Sequence, residues 1–222
     1  MKNKYSINTP LKALGLFSLF NILLAVWSVG RSDNITYLFL VWNLFLAWVP
    51  FWIAYTWFKR LGFQKPLKDW KSWTLAGIWL LFFPNAPYLI TDLIHLSGRF
   101  NPPYWSDTLL FFGMAMNGLI LGVYSLFYMH RAAAQVFSKK MSWIMVGWAV
   151  TACSFGVYLG RVQRWNSWDL LTQPYPLLKD ALLSLANPLA LKMTVGFSLL
   201  ILIVYIVLKT FIQYESDQKK FE

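Results

Sequence analysis

The sequence predicts an all-α membrane bundle of six spans, and three observations carry that prediction. Of the 222 residues, 58% are hydrophobic and 13% charged, with a mean hydropathy of +0.48. Such a chain is too apolar to keep the surface of a soluble globule wet. Apolar runs of spanning length then recur six times along the chain. Finally, Lys and Arg divide unevenly between alternate connections, 14 on the side holding the N-terminus and six on the other. This imbalance predicts cytoplasmic N- and C-termini. It also explains the net charge of +11 without invoking nucleic acid, since the cations sit mainly in short loops between spans.

The first run, Leu11 to Val29, follows Lys2, Lys4 and Lys12 in the manner of a signal sequence. Trp27 spoils the small-residue cleavage site near Ala25 to Gly30, so an uncleaved anchor is expected. The second covers Tyr37 to Phe58, with Pro50 predicted to kink it. The third, Trp73 to Leu96, contains Pro84 and Pro87, which divide it into halves of about 16 to 18 Å that cannot cross alone. It is expected to be a broken span. The fourth, fifth and sixth cover residues 107–129, 141–159 and 189–208. Between the last two, Leu178, Ala181, Leu182 and Leu185 recur at helical spacing between Pro176 and Pro188, which predicts a short helix on the outer membrane surface. Residues 209–222 are expected to form a short solvated cytoplasmic tail. The chain is thus predicted to be one transmembrane domain in the cytoplasmic membrane.

Polar residues inside spans divide into packing and candidate function. Asn21, Asn43 and Asn117 can hydrogen-bond between helices, while Gly118 with Gly122 and Gly156 with Gly160 allow close helix approach. The single cysteine, Cys153, excludes an intrachain disulfide. The third span is different. At 100° per residue, Asn85, Tyr88, Asp92, His95 and Arg99 fall within about 80° of one helix face, and ionisable groups at such depth normally face a protein interior or a wet cavity.

Asp92 and His95 form a candidate acid/base pair, a carboxylate orienting an imidazole. The alternative is a buried hydrogen-bonded pair that fastens this half-span to its neighbours. Arg161, Arg164 and Asp169, around Trp165 at the end of the fifth span, are predicted to reach the same outer level. Converging arginines suit a phosphate or carboxylate; alternatively Arg161 pairs with Asp92 or Asp169, and Arg164 snorkels to headgroups. Asn85 can cap the half-helix after the prolines and aim its positive dipole end at mid-membrane, as broken helices do in transporters. Asn85, Tyr88, Arg99, Arg161, Arg164 and Asp169 are therefore the candidate ligand-binding residues. With two histidines, no HExxH spacing and no Gly-x-Ser-x-Gly elbow, neither a metal site, a cofactor nor a nucleophile is nominated.

The stretches FPNAPYLITDLIHL and YLGRVQRWNSWDL resemble the two most recognisable parts of a bacterial membrane protein family, domain of unknown function 1361. The resemblance runs over nearly the whole chain and implies no activity and no transferable residue roles. Three functional classes stay open on the residues alone. They are an outer-leaflet binder or enzyme for an anionic, lipid-linked or phosphate-bearing substrate, a small-solute transporter or transport accessory using the broken span, and a non-catalytic assembly or scaffold protein. The bilayer is the expected partner in all three; oligomeric state has no signal in the sequence.

Overall fold

Each segment that the hydropathy pattern assigns to a span is helical in the computed structural model, which describes residues 8–32, 35–61, 70–96 and 105–218. Helix α1 (Asn8–Ser32) leads through a 3₁₀ turn (Ile35–Tyr37) into α2 (Leu38–Leu61). Helix α3 (Trp70–Phe82) stops at the prolines and α4 (Asn85–Thr91) resumes, ending in a second 3₁₀ turn at Asp92–His95. Then follow α5 (Trp105–Val136), α6 (Lys139–Arg161), the short α7 (Asp169–Thr172) and α8 (Pro174–Ser184), and α9 (Pro188–Gln218). Six stretches are long and apolar enough to cross a membrane, counting α3, α4 and the 3₁₀ turn as one. The third is broken where the sequence places the break, and a short helix precedes the sixth.

Two helices outrun their predicted ends. The fourth continues to Val136 and the last to Gln218, so α9 passes straight through Lys209, where a tail was expected to begin. Cations there do not face open solvent alone. The Arg131 guanidinium lies 5.3 Å from the Phe58 ring centroid and 5.6 Å from that of Phe127, and Lys209 Nζ lies 4.2 Å from the Trp143 ring. Aromatic faces attract such cations.

Helix α5 is the axis of the bundle, with 72% of its span buried, whereas α9 at 11% is peripheral. Polar contacts between spans cross the centre of the bundle: Asn117 Nδ2 and Trp48 Nε1 both donate to Ser18 Oγ, at 2.9 and 3.0 Å, and Trp79 Nε1 donates to Ser125 Oγ at 3.3 Å. Asn21 departs from the interhelical role expected of it and donates to Phe17 O in its own helix at 2.8 Å. At the end where α6 begins, buried His130 contacts Tyr205 Oη through Nδ1 and Ser142 Oγ through Nε2, fastening α9 to α5 and α6.

The two glycine pairs form a slot for the broken span. Gly118 and Gly122 of α5 face Ala86, Leu89, Phe83 and Pro87, while Gly156 and Gly160 of α6 face Pro84 and the Tyr88 ring. Without a hydrophobic drive between helices in lipid, such close approach is what holds spans together. A β-carbon at Gly156 would stand 2.5 Å from Pro84 Cγ. Gly156→Ala should therefore destabilise the protein by about 1 to 3 kcal/mol through overpacking, while Gly15→Ala, where nothing stands within 4 Å, should be near neutral. Thermal unfolding in detergent checks this, and equal melting of the two variants would contradict the slot.

Candidate functional site

Helix α3 ends at Phe82, before Pro84, and its last carbonyls lie inside an apolar layer that supplies no water to bond them. The fold answers with side chains. Ser167, in the loop after α6, donates to Leu81 O at 2.9 Å, and Asn85 Nδ2 donates to Phe82 O at 2.9 Å and to Ser167 Oγ at 2.9 Å. Asn85 was expected to cap α4; instead Pro84 occupies the N-cap position with no side-chain bond. The amide group is engaged by a carbonyl in the turn behind it, because satisfying that acceptor is the more pressing need.

Past α4, the backbone tightens at Asp92–His95. A 3₁₀ turn eclipses residues three apart, so Asp92 and His95 stack on one side and a single cation can reach both. That cation is Arg161. Its Nη1 donates to Asp92 Oδ1 at 3.1 Å and its Nη2 lies 3.1 Å from His95 Nε2. Asn43 Nδ2 of α2 donates to the other carboxylate oxygen at 2.9 Å. Because a guanidinium only donates, this arrangement makes His95 Nε2 the acceptor and puts the ring proton on Nδ1. The Tyr88 ring lies 5.9 Å from the Arg161 guanidinium, and Phe39 meets the His95 ring edge-on at 5.4 Å. Asp92 is buried, with 2% of its side chain exposed against 20% for Arg161. The sequence stripe thus becomes a junction of the second, third and fifth spans.

The other candidates separate. Arg99 lies outside the described residues. Asp169 accepts from Asn166 N at 2.7 Å and from Thr172 Oγ1 at 3.3 Å; it caps its own turn, so of the two partners considered for Arg161 the structure selects Asp92. Arg164 is exposed and adopts a left-handed backbone, φ 63°. Trp165 turns away to Asp180, donating at 3.1 Å, which ties the loop to α8. Among the described residues no three of His, Cys, Asp and Glu converge, and a guanidinium occupies the space between Asp92 and His95 that a metal ion would need.

Sequence reasoning missed three contributions. Asn43 hydrogen-bonds between helices as expected, but its partner, Asp92, was not foreseen. Ser167 carried no signal of its own. A second buried pair, Arg31 Nη2 with both oxygens of Asp107 at 2.9 and 3.0 Å, joins α1 to α5; the balance of outer charges hinted at pairing without identifying the partners. Removing one member of a buried pair strands the other charge and costs about 3 to 5 kcal/mol. Arg161→Met should lower stability by that order, whereas Asp92→Leu together with Arg161→Met should cost well under the sum of the single changes. Denaturant unfolding of the four proteins measures the coupling, and simple additivity would show that the pair contributes nothing as a pair.

No curated protein and no solved structure matches the chain. Residues 42–207 match the family described as protein of unknown function (DUF1361), a stretch that begins just before Asn43, takes in the broken span and the Arg161 loop, and ends within α9. The chain belongs to that family.

Proposed function

We propose that this is a multi-pass protein of a bacterial cytoplasmic membrane, with both termini in the cytoplasm, that binds an anionic group, such as the phosphate of a lipid headgroup, at the outer end of its broken span. The observation that carries this reading is the state of Arg161. Asp92 and His95 hold its guanidinium in one orientation, yet a fifth of the side chain stays exposed. A guanidinium fixed in place loses little further freedom when it takes up a phosphate.

Arg164 supports the same reading. It stands three residues on, exposed, in a backbone conformation that a residue with a β-carbon seldom adopts. Such strain is characteristic of residues placed for a ligand. Exposed Trp168, Leu171, Tyr175 and Leu182 lie along the same loop and helix, the composition expected where headgroups meet acyl chains. Asp92, with both oxygens engaged, is then a positioning residue. Any proton transfer on the bound headgroup falls to His95, the less buried of the pair, which would make the protein a lipid-modifying enzyme.

One observation favours a second reading, a purely structural clamp. Arg31–Asp107 repeats the motif of a buried aspartate under a partly exposed arginine, 0% and 24% exposed. Arg164→Gln separates the readings, because Arg164 makes no ion pair among the described residues and its loss should leave melting unchanged. Native mass spectrometry of gently extracted protein should show a co-purified anionic lipid or phosphate compound that falls about tenfold or more in Arg164→Gln and in Arg161→Lys. An empty wild type, with only Arg161→Lys less stable, would favour the clamp.

A further inference from the structure

A second feature lies at the opposite end of the bundle, away from Arg161. A cavity of about 510 Å³ is lined by Trp73, Gly77 and Leu80 of α3, Leu126 and Ala133 of α5, and Val146 of α6, among others. Its walls are almost entirely apolar, and Trp73, Ile144 and Trp148 on its lining are exposed, so it opens sideways between spans. From Ser72 to Leu80 the α3 wall runs about 12 Å at helical rise. The slot therefore lies along a span, parallel to the direction in which lipid chains run.

Its two ends differ. The deep end is bounded by Leu80 and Ala149, while the shallow end holds Ser72, Phe137 and Ser142. Within two residues of these in sequence stand Lys71, Lys139 and Lys140, all exposed. At the level of the shallow end Trp57 also lines the cavity, and its buried indole N–H has no hydrogen-bond partner. A buried donor left unpaired is costly and calls for an acceptor.

We infer that this crevice holds one acyl chain of an anionic phospholipid, with its headgroup on Lys71, Lys139 and Lys140 and its ester carbonyl within reach of the Trp57 indole. An apolar slot excludes water, the lysine rim selects a negative headgroup, and the orphan donor sits where the polar part of such a lipid begins. The site is independent of the anion site proposed at the other end.

The test is titration of delipidated full-length protein with phosphatidylglycerol and with phosphatidylcholine, read by native mass spectrometry. It is done in the Arg164→Gln background so that lipid at the far end is not counted. One phosphatidylglycerol should bind in preference to phosphatidylcholine. Gly77→Phe projects a ring from the slot wall at a position whose β-carbon would meet nothing within 4 Å; it should weaken that binding at least about tenfold, while Gly15→Phe, equally open at its β-position but on α1, should not. Changing Lys71, Lys139 and Lys140 together to Gln should remove the preference for the anionic lipid, and it alters only exposed side chains, so it remains a test even should Gly77→Phe not fold. Equal binding by Gly77→Phe and wild type, or equal binding of the two lipids by wild type, would overturn the proposal.

Discussion

Most of this structure follows from one constraint: two prolines interrupt a backbone where no water is available. The interruption frees the carbonyls of Leu81 and Phe82, and they are met by Ser167 and Asn85. Because Ser167 lies in the loop after α6, that loop must fold back onto the break. The fold-back fixes the end of α6, and Arg161 is the last residue of α6. A requirement for backbone hydrogen bonds therefore places a guanidinium against the segment that carries Asp92 and His95. The glycines complete the arrangement, since a proline-bearing segment is wide and can enter the bundle only where its neighbours lack side chains.

The fold was legible because spanning length, charge bias and proline are local signals. Any window of the sequence holds them. Helix ends were less legible where a cation sits on an aromatic ring, as Lys209 does on Trp143, because a ring on another helix cannot be read from the cation's own neighbourhood. The site was half legible. Asp92, His95 and Arg161 stand out as charges in apolar runs, and their meeting follows from a six-span topology. That Asn43 would bind Asp92, or that Asp169 would cap its own turn, depends on rotations of helices about their axes that hydropathy does not fix. The stripe from Asn85 to Arg99 also assumed a continuous α-helix; the switch to a 3₁₀ turn at Asp92 rotates His95 into register with it.

The two ends of the bundle handle polarity in different ways. At the end proposed to face outward, the described aspartates are bound: Asp92 and Asp107 by arginines, Asp169 by its own turn and Asp180 by Trp165. At the other end, cations predominate, and the buried polar contacts among His130, Tyr205 and Ser142 are carried by side chains that need bear no charge. Fixed ion pairs give geometry and orient donors. Unpaired surface lysines give field, which attracts anionic lipid without specifying a pose. The first suits a site with a defined ligand geometry, the second a surface against a membrane leaflet.

This division bears on transport through the bundle. A relay across the membrane needs titratable groups at intervals that water or side-chain motion can bridge. Along α5 the distance from Asp107 to His130 is about 35 Å at helical rise. Between them the helix buries Leu110, Phe111, Met114, Leu121 and Leu126, and polar Asn117 and Ser125 are already engaged by Ser18 and Trp79. On α2 the corresponding stretch between Asn43 and Trp57 buries Leu44, Ala47, Phe51 and Ala54. Apolar layers separate these polar contacts from one another, although the side-chain oxygens of Asn21 and Asn117 are buried without a hydrogen-bond partner. To carry a solute, the prolines would have to act as a hinge, yet the carbonyls that a hinge must release are those held by Asn85 and Ser167, and Gly156 holds the Pro84 ring from the other side. The break is clamped on both faces. Its physical effect is to set Asp92 and His95 against Arg161 at one end of the span.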